Sequence, residues 1–391
     1  MDARILFVIN RPAIGGAQLH TLELAKALAG EGADCSLYAV QPEADSALAQ
    51  FVPVARHQEK RRGVLGLSRY AAEYRPDVIV VAQTAVLFRI AVSKFFARVT
   101  APAVVIVHGW PRSGLPRAGS IERWIRVRLI NRARLIVFLS EGQKRAWQAV
   151  GMRSGHCVVI PNGVDVDKFS PDRADAYRNE ARRSFGFLPA DIVVGTAARL
   201  HPVKRIDLLV LAISELRKRG VAAKGLIVGD GPLRGDLLDL VAKLQLQESV
   251  VFAGARADVD HTIAAMDIGV LPSSSEVMPL FALECMAMGR PVVLTDAGGT
   301  ADIVGDGSGG RLFHSGDAGA LAAEIIAYLD GKVRGQAGAE ARRKVVRNFS
   351  RQRMFESYIS VLQPLAAASR LESHRNGADA EKSTGKLALI H

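Results

Sequence analysis

Two glutamates eight residues apart, Glu276 and Glu284, flank the apolar run Pro279-Leu280-Phe281-Ala282-Leu283 within residues 273–293, SSSEVMPLFALECMAMGRPVV. Carboxylates are rarely buried without a partner, so the pair needs a reason. Pro279 suits the first position of a helix, where its missing N–H is no loss. Gly289, just before Pro291, suits its end. Glu276 then lies in a loop ahead of the helix, and Glu284 lies inside it, roughly 7.5 Å along the axis. The free N–H groups near Leu280 and Phe281 point out of the helix start and suit an anion such as a diphosphate. A carboxylate on each side of that anion could accept hydrogen bonds from sugar hydroxyls. The pair thus fits a sugar–phosphate–sugar ligand, with a hexose at Glu276 and a ribose at Glu284. The alternative is structural: Glu276 as a helix-dipole partner and Glu284 as a surface residue.

Other residues carry compatible chemistry. Arg199 and Lys204 follow an apolar run and flank His201-Pro202. Two fixed cations can stabilise the negative charge that grows on a leaving diphosphate, although basic residues are also common in solvated loops. Gly15 and Gly16 open a helical pattern after the first apolar run, where a bare backbone can approach a phosphate closely. The segment is not Gly-x-Gly-x-x-Gly, so the dinucleotide fingerprint is absent. His108 follows Val104–Val107, which places it at the carboxyl end of a strand. A lone histidine there is as readily a structural residue as a ligand-binding one. There is no evident Ser-His-Asp or nucleophilic cysteine arrangement, and no Asp-x-Asp element or Cys/His cluster with metal-ligand spacing. We therefore expect metal-independent chemistry with no cofactor.

The elements that must position these residues follow a repeating pattern. Short apolar runs at Ile5–Ile9, Ser36–Val40, Val78–Val81, Val104–Val107 and Leu135–Leu139 read as buried parallel strands. Helical patterns at Gln18–Gly30 and Leu65–Tyr74 lie between them. The pattern repeats with strands at Ile192–Thr196, Gly225–Val228, Val250–Ala253, Ile268–Leu271 and Pro291–Thr295. Its helices are Asp207–Arg219, Leu233–Leu244 and Ala318–Leu329. Two βαβ halves predict an α/β protein with two Rossmann-like, doubly wound domains facing a central cleft. The punctuation of IPNGVDVDKFSP, residues 160–171, puts the boundary there. The expected domains are 1–165 and 166–350, followed by a helix over 351–369 that crosses back to the first domain and a disordered tail over 370–391.

At 391 residues the chain is long for a single core. Its three cysteines are scattered and odd in number, which suggests a reducing, cytoplasmic setting. No secretory pattern and no 18-residue apolar span is present. The net charge is +12, concentrated in residues 1–165 with 22 Lys+Arg against 12 Asp+Glu. Such an excess suits an anionic partner. In residues 121–134, Arg123, Arg126, Arg128, Arg132 and Arg134 alternate with Trp124, Ile125, Val127, Leu129 and Ile130. A basic amphipathic helix of this kind can lie on an acidic membrane surface, or simply present a solvated arginine face. Nucleic acid is the less fitting anion, since aromatic content is only 6%.

The segment EVMPLFALE resembles the Glu-x7-Glu motif of the retaining glycosyltransferases of family 4, which have the GT-B fold. GGAQLHTLELAKAL, VHGW, IPNGVDVDKFSP, GTAARLHPVKRIDLLVLAI, LIVGDGPLR, VLPSSSE and TDAGGTADIVGDGSGG are similar to further family segments, in the expected order, from about residue 5 to about residue 365. The resemblance implies transfer of a hexose from a nucleotide sugar to a glycan or lipid-linked acceptor, as in cell-surface polysaccharide or glycolipid synthesis. It implies that Arg199 and Lys204 hold the donor diphosphate, that Gly16 lies near the donor phosphates or the acceptor, with Gly15 on the acceptor side, and that His108 binds donor-sugar or acceptor hydroxyls. It also implies that the acceptor attacks the face the diphosphate leaves. Three positions depart from the family pattern: Val277 stands where a glycine is usual, Ala198 replaces another glycine, and Asp302 replaces a glutamate. Rival readings are another GT-B sugar-nucleotide enzyme, such as an epimerase or an inverting transferase, or a nucleic-acid-binding protein.

Overall fold

A computed structural model describes residues 1–10, 16–40, 63–82, 100–111 and 120–387. Its chain forms two compact units, one of residues 1–160 with 355–391 and one of residues 161–354. Each unit is built on a six-stranded, wholly parallel sheet. In the front unit the strands are β1 (Arg4–Ile9), β2 (Asp34–Ala39), β3 (Val78–Val81), β4 (Ala103–Val107), β5 (Leu135–Phe138) and β6 (Cys157–Val159), in the order β2-β1-β3-β4-β5-β6. In the back unit they are β7 (Ile192–Ala197), β8 (Ala223–Val228), β9 (Val250–Gly254), β10 (Ile268–Leu271), β11 (Val292–Thr295) and β12 (Gly310–Phe313), in the order β12-β11-β10-β7-β8-β9. Central strands such as β3, β10 and β11 are buried along their whole length, which explains their unbroken apolar runs.

The strand order fixes where each unit can bind a ligand. In the back sheet the chain runs outward from β7 through β8 to β9, then returns to the other side of β7 with β10. The switch point therefore lies between β7 and β10. In the front sheet it lies between β1 and β3. Ligands of open parallel sheets bind beyond the carboxyl ends of the strands at such points.

Two of the twelve strands, β6 and β12, have no counterpart among the expected runs. β6 has three half-buried residues, and β12 contains Gly310 and the exposed Arg311, so neither presents a long apolar signal. The final helix also departs from expectation. It runs Arg351–Leu387, so residues 370–387 are helical where a disordered tail was expected. The segment is polar, but ten of its eighteen residues are Ala, Leu, Glu, Lys or Arg, which favour helix, against Gly377 and Gly385, which do not.

Glycines permit close approach at the interdomain stretch and within the sheet. A Cβ at Gly163 would stand 2.6 Å from the Arg351 Cα, where Val164 forms a parallel bridge with Ser350. A Cβ at Gly269 in β10 would stand 2.7 Å from the Cys285 sulfur. A buried charge cluster braces the same unit. Asp267, 4% exposed, accepts from Arg182 Nη2 at 2.6 Å, Arg178 Nη2 at 2.6 Å and the Val193 N–H at 2.8 Å. These donors hold its carboxyl below the usual carboxylate range against the opposing effect of burial. Removing one partner strands the buried Arg182 charge. Asp267→Ala is therefore expected to cost about 3–5 kcal/mol in a denaturant melt, and a loss under about 1 kcal/mol would contradict this account.

Candidate donor and acceptor sites

The back-unit site is assembled from the loops that follow β7, β10 and β11. Beyond β7 the chain passes through Arg199 into a 3-10 turn, Pro202–Lys204, and then Arg205 at φ 47° before the helix Ile206–Lys218. The glycines of Gly229-Asp230-Gly231 let the loop after β8 press on this segment. A Cβ at Gly229 would meet the Ala198 carbonyl oxygen at 2.0 Å, and one at Gly231 would meet that of Leu200 at 2.5 Å. The Leu200 N–H donates to the Asp230 carbonyl at 2.9 Å. Main-chain bonds also join the other loops: Ser274 N–H to Val203 C=O at 2.9 Å, Glu276 N–H to Ala297 C=O at 3.3 Å, and Gly299 N–H to Glu276 C=O at 3.1 Å.

This stitching brings Lys204 and Glu276 together. Lys204 Nζ lies 2.6 Å from Glu276 Oε1, and Ser273 Oγ donates to the same oxygen at 2.7 Å. Ser273 is fully buried. Arg199 is exposed, and its guanidinium has no partner among the described residues, so it does not join the pair. The helix Leu280–Ala287 follows. Pro279 occupies its N-cap position, with φ −71° and ψ 122°, rather than its first turn, and no side chain caps the helix. The amides near Leu280 and Phe281 are thus left without a side-chain acceptor, as anion binding requires. Gly289, at φ 70°, closes the helix, with the Arg290 N–H donating to the Cys285 carbonyl at 2.9 Å. The buried Asn162 donates to the Met278 carbonyl at 2.8 Å and fixes the approach to this helix.

Glu284 is half-buried. Burial raises its pKa to about 7; Lys168 opposes the shift and Asp260 adds to it. Lys168 in turn sits 3.9 Å from Asp260. The neighbouring Cys285 thiol is pushed well above its usual range by burial and by Glu284.

In the front unit Gly16 opens the helix Gly16–Gly30, and a Cβ there would meet nothing within 4 Å. Among the described residues, packing does not demand glycine at this position. Gly15 lies outside the described residues. His108 follows β4 and is half-buried. Gln143 clamps the backbone on either side of it, donating to Val107 C=O at 2.7 Å and Gly109 C=O at 3.0 Å. Trp147 Nε1 also donates to Gly109 C=O, at 3.0 Å. His20 packs edge-on against His108, with ring centroids 5.1 Å apart. Burial lowers the His20 pKa to about 4 and holds His108 well below the usual histidine range, so both rings are neutral.

Sequence reasoning missed Ser273, Asn162, Gln143, His20 and Lys168. Ser273 alone carried a local signal, standing three residues before Glu276. The others act across long sequence separations, with no short spacing to mark them. On the basic segment, the helix is Ser120–Ile130. Trp124 is 57% exposed and Ile125 39%, and Arg128 lies over the Trp124 ring at 4.6 Å. Among the described residues no helix is long and apolar enough to cross a membrane.

Comparison with known proteins bears on the family and the fold. Residues 191–331 match the family described as Glycosyl transferases group 1, and residues 14–168 match Glycosyltransferase Family 4. The D-inositol 3-phosphate glycosyltransferase of Nocardia farcinica is 33% identical over 189 residues, 46% of this chain and 41% of that protein. The chain spans about two fifths of the length of the first curated relatives it matches. The UDP-Gal:alpha-D-GlcNAc-diphosphoundecaprenol alpha-1,3-galactosyltransferase of Escherichia coli is 26% identical over 89% of this chain and 93% of its own length. Among solved structures, Anabaena Alr3699/HepE in complex with UDP shares 25% identity and a TM-score of 0.79, covering 92% of this chain and all of that one. Sucrose-phosphate synthase from Thermosynechococcus elongatus is similar in fold at 20% identity and TM-score 0.79, over 94% of this chain and 100% of that one. The fold is GT-B, as the sequence predicts.

Glu284 gives a direct check on the site. Between the ordinary glutamate pKa of 4.5 and about 7, the folded chain keeps a proton that the unfolded chain releases. Its contribution to stability therefore declines as pH rises through that window. Glu284→Gln should gain stability relative to wild type between about pH 4 and about pH 8 in urea melts. A difference that stays constant with pH would contradict the burial of this carboxyl.

Proposed function

The chain belongs to the group 1, family 4 glycosyltransferases, and from that membership we propose that it is a retaining hexosyltransferase acting from a nucleoside diphosphate sugar. The observation that carries this reading is the Lys204–Glu276 ion pair beside an uncapped helix start at the switch point of the back sheet. Arg199, Lys204 and the amides near Leu280 and Phe281 hold the diphosphate. Glu276 takes hydroxyls of the transferred hexose, and Glu284 takes those of the ribose. A uridine nucleotide is supported by the UDP complex of HepE and by the UDP-Gal donor named for the Escherichia coli relative.

In the transfer, an acceptor oxygen bonds to the anomeric carbon as the bond from that carbon to the diphosphate oxygen breaks. The acceptor proton passes to a departing phosphate oxygen on the same face, so the anomeric configuration is kept. Arg199, Lys204 and the helix start stabilise the charge on the leaving group, and the reaction should persist in a chelator. Gly15 and His108 serve the acceptor side, with His108 also near the donor sugar and Gly16 near the donor phosphates or the acceptor. Its ring is held neutral, so it acts as a hydrogen-bonding group and not as a fixed cation. The lipid-linked acceptor named for the Escherichia coli relative and the exposed Trp124, Ile125 and Arg128 support a lipid-linked or glycan acceptor met at the cytoplasmic membrane face, in cell-surface polysaccharide or glycolipid synthesis.

Calorimetry with UDP tests the donor site. Glu284→Ala should weaken UDP binding by about 1–3 kcal/mol, and wild-type affinity should fall as pH drops below about 7 and the carboxyl gains its proton. Glu276→Ala should instead lower turnover more than UDP affinity. Unchanged UDP affinity in Glu284→Ala would remove the ribose assignment. NMR of the product anomer, compared with the donor, decides between retention and inversion.

A further inference from the structure

Two buried rings stand in line behind the half-buried His108. His20, from the helix Gly16–Gly30, is 6% exposed, and Tyr358, from the final helix, is fully buried. His20 packs edge-on to His108 with planes 72° apart, and to Tyr358 with centroids 5.5 Å and planes 64° apart. Among the described residues, neither nitrogen of His20, nor His108 Nε2, nor the Tyr358 hydroxyl has a hydrogen-bond partner. The backbone around His108 is held by Gln143, but no hydrogen bond to Nε2 sets the plane of its imidazole. Ring packing is what remains to do so, since edge-to-face contacts prefer a defined angle. Burial also disfavours the charged form of each imidazole, so charge repulsion does not separate them.

We propose that His20 and Tyr358 are positioning residues for His108: a column of three rings fixes the imidazole that the proposed reaction presents to substrate hydroxyls. The inference rests on the glycosyltransferase reading for what His108 does, but not for how the ring is held. The column also makes a residue of the C-terminal helix a determinant of turnover, although Tyr358 itself touches no substrate.

The test uses the full chain, histidine-labelled NMR, calorimetry with UDP, and release of UDP from UDP-glucose as the turnover probe. The ring-removing variants His20→Ala and Tyr358→Leu should shift or broaden the His108 ring signals and lower kcat by roughly tenfold or more. UDP affinity should stay within about twofold of wild type, because the back unit is untouched. The ring-keeping variants His20→Phe and Tyr358→Phe should stay within about threefold of wild-type kcat. A purely structural role would move the melting temperature without this split between turnover and UDP affinity. If His20→Ala or Tyr358→Leu fails to fold, the volume-keeping His20→Leu decides: a loss of at least about fivefold in kcat supports the column, and an unchanged value overturns it. Folded ring-removing variants whose His108 signals and kcat match wild type also overturn the proposal. Absence of UDP binding and turnover in the wild-type chain would instead sink the glycosyltransferase reading, while the NMR comparison still decides whether the rings position His108.

Discussion

Main-chain hydrogen bonds lock the loops leaving β7, β10 and β11 to one another, and the candidate donor site depends on that lock. Ser274 reaches Val203, while Glu276 both donates to Ala297 and accepts from Gly299. Backbone bonds of this kind leave little freedom for the loop that carries Glu276. They place a carboxylate and an ammonium within 2.6 Å at the one edge of the sheet where the connection changes direction. The two glycines after β8 tighten the arrangement further, because only a residue without a Cβ lets that loop lie against Ala198 and Leu200.

Charge is distributed in the back unit by degree of burial. The Asp267 cluster is buried and hydrogen-bonded at the amino ends of β7 and β10, away from the carboxyl ends where a ligand would bind, so its role is cohesion. Lys204 and Glu276 are partly open and satisfied mostly by each other and Ser273. Arg199 is exposed, and its guanidinium has no partner among the described residues. Glu284 is neither free nor matched by a close cation, and burial keeps its proton to a pH near neutrality. This gradient, from satisfied interior charges to under-satisfied charges around a helix start, is what an anionic ligand with hydroxyl-bearing groups at both ends would meet.

Much of this was legible in the sequence because parallel sheets write their strands as apolar runs. Ten of the twelve strands announced themselves in that way. The short β6 and the glycine- and arginine-containing β12 did not, since neither is buried enough to require such a run. Glu276, Glu284, Arg199 and Lys204 were readable through their spacing and the resemblance it supports. The ion pair between Lys204 and Glu276 was not, because it depends on how two loops are tied together. Pro279 was misplaced by one position, as its extended ψ puts it ahead of the helix instead of within it. The rings behind His108 were invisible for a simpler reason: the helix Gly16–Gly30 and the final helix, far apart in sequence, meet only through tertiary packing. The residues after 370 misled because polarity was taken to mean disorder, whereas the backbone is helical to Leu387.

The contact between Gly269 and Cys285 has a consequence for how this chain can vary. The sulfur fills the room that a side chain on β10 would need, so the two positions are complementary in size. Extra bulk on the strand would push the helix outward, and Glu284, the next residue along, would move with it. On the ribose role proposed for Glu284, ligand preference is open to adjustment from within the apolar interior, and compensating replacements at these two sites would restore it without altering any group that meets solvent.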